Sequence, residues 1–70
     1  MEYGICNLAI IPLRAEANHR SEQVSQVLFG ETFEITDWKD DWVKIITTAD
    51  DYPGWIGRLQ FIMLGHLAYK

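Results

Sequence analysis

The chain is poor in the residues from which reactive and charged sites are usually assembled. It has one cysteine, Cys6, among 70 residues, which excludes an intrachain disulfide and a cysteine-rich metal site. Its two histidines, His19 and His66, lie far apart in no metal-ligand spacing, so neither a metal nor a cofactor is expected. Lysine and arginine number six against ten Asp and Glu, a net charge of −4. The internal cations Arg14, Arg20, Lys39, Lys44 and Arg58 are scattered. Phosphate binding draws on clustered Lys and Arg, so no nucleic-acid partner is expected. No apolar run approaches the roughly 20 residues that span a bilayer, which argues against a membrane role. The chain does not open with a basic segment followed by an apolar one, as a secretory leader would, and the expectation is a cytoplasmic protein.

What is present is apolar and aromatic. Hydrophobic residues make up 49% of the chain and aromatics 13%, too much for intrinsic disorder. At this length there is room for one domain only, close to the lower limit for a chain with its own core. The stretch from Phe29 to Arg58 shows how that core is organised. Thr32-Phe33-Glu34-Ile35-Thr36 alternates polar and apolar residues, as does Trp42-Val43-Lys44-Ile45, and Gly54-Trp55-Ile56 follows. Period-2 alternation sends one set of side chains into a core and the other to solvent. Breaks at Lys39-Asp40-Asp41 and at Ala49 to Pro53 carry turn chemistry. Three such runs in about thirty residues predict an all-β fold, a small and strongly bent antiparallel barrel of five to six short strands.

Earlier in the chain, Gly4 to Ala9 reads as a mixed lead-in. Ile10 to Arg14 reads as the first strand, with Pro12 marking an edge or strand end because proline cannot donate to a ladder. Ala15 to Glu22 is polar and reads as a long exposed loop, and Val24 to Phe29 as a strand feeding a tight turn at Gly30-Glu31. The shared faces predict burial of Leu13, Val27, Phe33, Ile35, Val43, Ile45 and Ile56. The domain is assigned to residues 1–61. Residues 62–70 follow as a closing strand or a linker, reached through a short helical turn near Leu59.

Three groups of residues invite a chemical reading. Cys6 lacks any base or orienting group at a recognisable spacing, so it is read as a small buried hydrophobe and no catalytic residue is expected. Asp40-Asp41 and Asp50-Asp51 do not alternate around a glycine as calcium ligands do, so they are read as solvated turn residues that keep sheet edges charged. Trp42 and Trp55 fall on the faces opposite their core-directed neighbours Val43 and Ile56, with Tyr52 in the hairpin just before. They form either a contact surface or a set of caps for a core too small to close without them.

The segments Leu13-Arg14, Ser21-Glu22-Gln23-Val24, Leu28-Phe29-Gly30-Glu31, Trp42-Val43-Lys44-Ile45 and Gly54-Trp55-Ile56, in that order, resemble the bacterial SH3-like domain. More narrowly, residues Tyr3 to Phe61 are similar to the SH3-like domain found at the N-terminus of NlpC-type cell-wall cysteine peptidases, the γ-D-glutamyl-L-diamino acid endopeptidases. The resemblance implies a non-catalytic module whose partner is a papain-like domain placed C-terminal to it, with the barrel shaping a cleft for a cell-wall peptide. It also implies that the loop beginning at Arg14 and Glu16 approaches that cleft. The plainer reading is that Arg14 bonds loop carbonyls while Glu16 is solvated. The chain ends before a catalytic domain would begin, so the isolated polypeptide is expected to have no peptidase activity. Nothing matches the Ala-Leu-Tyr-Asp-Tyr run of eukaryotic signalling SH3 domains, and Trp38 and Trp42 are not adjacent, so proline-rich ligands are not implied. A stand-alone protein-contact domain, capable of forming a homodimer, is the alternative.

Overall fold

The structure is a computed structural model that describes residues 2–64. Seven strands are present, β1 (Glu2–Ile5), β2 (Ile10–Arg14), β3 (Gln23–Leu28), β4 (Thr32–Lys39), β5 (Trp42–Thr47), β6 (Pro53–Gly57) and β7 (Ile62–Leu64), and the described residues contain no helix. They form one antiparallel sheet in the order β3-β2-β6-β5-β4-β1-β7. The all-β, SH3-like fold read from the sequence is therefore the fold observed, with one strand more than expected.

Alternation dictates the core. Leu13, Val27, Phe33, Val43, Ile45 and Ile56 are fully buried and Ile35 nearly so, joined by Ile11 and Cys6. Each such side chain removed from water contributes about 1.5–3 kcal/mol. Their outward neighbours in β5, Trp42, Lys44 and Ile46, are half-buried or exposed. Phe61 packs on this core from outside the strands, its ring edge-on to Phe33 with centroids 5.3 Å apart.

The turns follow from residue chemistry. Gly30 takes φ +85°, a conformation open to glycine, and the turn is closed by Glu31 N–H donating to the Leu28 carbonyl and Leu28 N–H to Glu31 Oε1. Asp40 (φ 52°) and Asp51 (φ 53°) adopt left-handed backbone at the two hairpin connections, a conformation short polar side chains tolerate. Thr47 is the one buried polar core residue among those described. Its Oγ1 bonds Asp50 Oδ1 and accepts from Tyr52 N–H, which pins the β5–β6 connection.

Two local readings need correction. The segment read as a lead-in from Gly4 begins inside a strand. β1 pairs with β4 through Gly4↔Phe33 and with β7 through Gly4↔Met63. Glycine is required there because a Cβ on Gly4 would sit 2.6 Å from a Phe33 ring carbon and 2.8 Å from one of Phe61. In addition, β2 is not an outermost strand, since it lies between β3 and β6. It meets β6 only at Arg14↔Trp55, however, so Pro12 still has a single partner strand, at Gln26, and its missing N–H interrupts no second ladder. The segment after Gly57 makes a turn, with Gln60 N–H bonded to the Gly57 carbonyl, and then enters β7. The remainder of the tail, residues 65–70, lies outside the described residues.

Candidate functional site

Register assembles the candidate surface. On β5 the outward residues are Trp42, Lys44 and Ile46, and their partners on β6 are Gly57, Trp55 and Pro53. Cross-strand partners share a face, and so do residues two apart. Trp42 and Trp55 are therefore diagonal neighbours on one outer face, with Lys44 directly across from Trp55. On its other side Trp55 is paired with Arg14 of β2. A tryptophan between an arginine and a lysine, with a second tryptophan beside it, makes an outward aromatic row flanked by two cations, with Asp37 of β4 across from Lys44 on its far side.

The long loop Ala15–Glu22 borders this face. Arg14 donates from a guanidinium nitrogen to the Ser21 carbonyl at 3.1 Å, and Ala15 N–H to the Glu22 carbonyl. Ser21 Oγ donates to the Glu16 carbonyl and accepts from Glu16 N–H, while Asn18 Oδ1 accepts from Arg20 N–H. So braced, the loop brings His19 edge-on to Trp42, with ring centroids 4.8 Å apart and planes at 63°. Arg14 thus bonds a loop carbonyl, as the plainer reading held, and also stands beside Trp55. Glu16 is exposed on the loop.

Tyr52 is not part of this group. It precedes β6 and is tied by its backbone to Thr47, whereas Trp42 lies at the opposite end of β5 across from Gly57. Tyr52 is 39% exposed. At its end of the sheet, Gly30, Glu31, Thr32, Thr47, Thr48 and Ala49 line a shallow cleft of about 230 Å³. Thr32 Oγ1 donates to Thr48 Oγ1 across the strands there. Of the five residues singled out from sequence, the structure gathers Trp42, Trp55 and Arg14, leaves Glu16 on the bordering loop and places Tyr52 apart.

Two aromatics escaped the sequence reading. His19 sits in a polar loop where nothing local announces a contact with a tryptophan two strands away. Trp38 should share the outward phase of Thr32, Glu34 and Thr36, yet a bulge between Ile35 and Asp37 shifts the register so that Trp38 pairs with buried Val43. Its indole N–H donates to Glu2 Oε1 at 2.9 Å and Arg58 lies over the ring at 5.8 Å. Trp38 therefore takes the opposite phase from Trp42 and Trp55. Cys6 is buried, with Sγ within hydrogen-bonding distance of the Leu8 and Val27 carbonyls, a core position rather than a nucleophile's.

A single bent antiparallel sheet around a small apolar core, with a long loop over an outward aromatic row, defines an SH3-like domain. The chain belongs to the bacterial dipeptidyl-peptidase SH3 domain family, which it matches over residues 13–59, well over half its length. No curated protein and no solved structure gives a significant match. The matched span includes Arg14, the loop with His19, Trp42 and Trp55. The family takes its description from bacterial dipeptidyl-peptidases, and an SH3 domain is itself non-catalytic.

Proposed function

We propose that this chain is a non-catalytic accessory module of a murein-peptide hydrolase, and that its Trp42/Trp55 face forms one wall of the cleft for a cell-wall peptide. One observation carries this reading: Trp42 and Trp55 stand together on the outer face, with Arg14 and Lys44 on either side of Trp55. Aromatic residues outside a core are enriched where proteins make contact, and bordering cations suit a peptide bearing carboxylates. The catalytic partner in this reading is a papain-like domain with its own Cys and His. Family membership supports a peptidase setting, and the murein peptide is the finer step proposed here.

The test is titration of isotopically labelled protein with a γ-D-glutamyl-diamino acid peptide, followed by NMR. Shifts confined to the indoles of Trp42 and Trp55 and to the Ala15–Glu22 loop are expected, with no turnover of the peptide. Shifts confined to the Thr32/Thr47/Thr48 cleft would reject this face. Cleavage of the peptide, abolished by Cys6→Ser, would reject the accessory role. The rival reading, a self-associating contact domain, draws on the exposed Leu8, Ile10, Leu28 and Phe29. Ile10 and Leu28 are paired across β2 and β3, and Phe29 N–H bonds the Ala9 carbonyl beside them. A dimer by light scattering with no peptide binding would favour it.

A further inference from the structure

Gly57 occupies the outward position directly across from Trp42 and two residues beyond Trp55, so a side chain there would stand between the two tryptophans. That space is taken by another residue. A Cβ on Gly57 would sit 2.7 Å from Gln60 Oε1 and 3.0 Å from its Cδ. The Gln60 carboxamide therefore lies on the tryptophan face. Gly57 N–H donates to Gln60 Oε1 at 2.9 Å, and Gln60 N–H returns a bond to the Gly57 carbonyl. Because a backbone N–H needs an acceptor, the amide is turned with its oxygen inward. Its –NH2 group, which can only donate, has no partner among the described residues and is not buried.

We propose that Gln60 is a ligand-reading residue of this face, donating from its side-chain amide to a carboxylate of a peptide laid across Trp42 and Trp55. The inference rests on the functional reading above and goes beyond it by assigning the polar contact. The two tryptophans offer flat apolar area without orientation. The anchored amide supplies direction, and Arg14 and Lys44 favour an anionic acceptor over a neutral one. Glycine at position 57 is then explained, because any larger residue would evict the amide.

The experiment compares affinity for a γ-D-glutamyl-diamino acid peptide and for the same peptide with its carboxylates amidated, in wild type, Gln60→Ala, Gly57→Ala and Trp55→Ala. Wild type should prefer the free acid by about tenfold, the scale of one hydrogen bond to a charged group. Gln60→Ala and Gly57→Ala should still bind but with much of that preference lost, Arg14 and Lys44 supplying what remains, and Gln60→Glu should bind the acid more weakly than Gln60→Ala. The Gln60 side-chain amide resonances of wild type should move on adding the acid. If wild type binds, Trp55→Ala does not, and both Gln60→Ala and Gly57→Ala discriminate as wild type does, the role of Gln60 is overturned while the aromatic face stands. If wild type binds neither peptide, both fall. Gln60→Ala alters no core contact, so its result stands even if Gly57→Ala fails to fold.

Discussion

The two faces of β6 carry side chains of similar apolar character to different ends. Inward, Ile56 is fully buried and Gly54 is pressed against the core, where a Cβ would sit 2.5 Å from Leu13 Cγ and 3.1 Å from the Arg14 carbonyl oxygen. Outward, Trp55 is half-buried between Arg14 and Lys44, and Gly57 faces only the end of the Gln60 side chain. The atoms nearest a Cβ on Gly54 are core hydrocarbon and backbone. Those nearest a Cβ on Gly57 belong to the end of one long side chain, that of Gln60. One strand thus offers a fixed interior and an adjustable surface, and substitutions on its two sides should differ accordingly.

The sharpest contrast should come from Ile56→Ala. Removing a fully buried side chain costs about 2–5 kcal/mol, against a total stability on the order of 0.05–0.15 kcal/mol per residue. The variant should be largely unfolded, read as loss of amide dispersion in an NMR spectrum. Gly54→Ala should follow, at roughly 1–3 kcal/mol for an overpacked core, visible as a lowered urea midpoint with an unchanged slope. Trp55→Ala should cost roughly 1–2 kcal/mol of stability, from partial burial and its cross-strand pairs. Its effect on peptide binding should be larger, about 2 kcal/mol or more for a contact aromatic. An unfolded Trp55→Ala at room temperature would place that indole in the core and erase the distinction between the faces. Gly57→Ala should change stability least, within about 0.5 kcal/mol, because only a flexible side-chain end must shift. A thermal midpoint as low as that of Gly54→Ala would show the outer face to be as rigid as the inner.

Much of the inner face was legible in the sequence. Phe33 with Ile35, and Val43 with Ile45, repeat at period 2 with polar residues between them, and all four are buried. Ile11 is buried too and lies two residues from Leu13, but the doubled Ile10-Ile11 leaves the phase of that run ambiguous. The bulge at Thr36 has no glycine or proline to mark it, which is why Trp38 could not be phased. The glycine at position 4 is a weak strand former by propensity, and only the Phe33 and Phe61 rings explain why glycine belongs there. The outer face was half legible. Local alternation pointed Trp42 and Trp55 outward, whereas the pairing of Arg14 with Trp55, the packing of His19 on Trp42 and the return of Gln60 onto Gly57 arise from register and loop closure. Tyr52 was grouped with Trp55 by nearness in sequence, and the Thr47 tether holds it at the other end of the strand.

The place of β1 in the sheet has a kinetic consequence. Its partners are β4 and β7, and the pair Tyr3↔Leu64 joins the two extremes of the described chain. Closing so large a loop costs entropy that grows with the logarithm of its length, and folds rich in such distant pairings form in milliseconds to seconds. On the ribosome, where about 5–20 residues are added each second, β1 must wait for β4 before it gains a first partner. Its second arrives only with β7. Until then β1 leaves one strand edge open, and such an edge is a template for pairing with another copy of the chain.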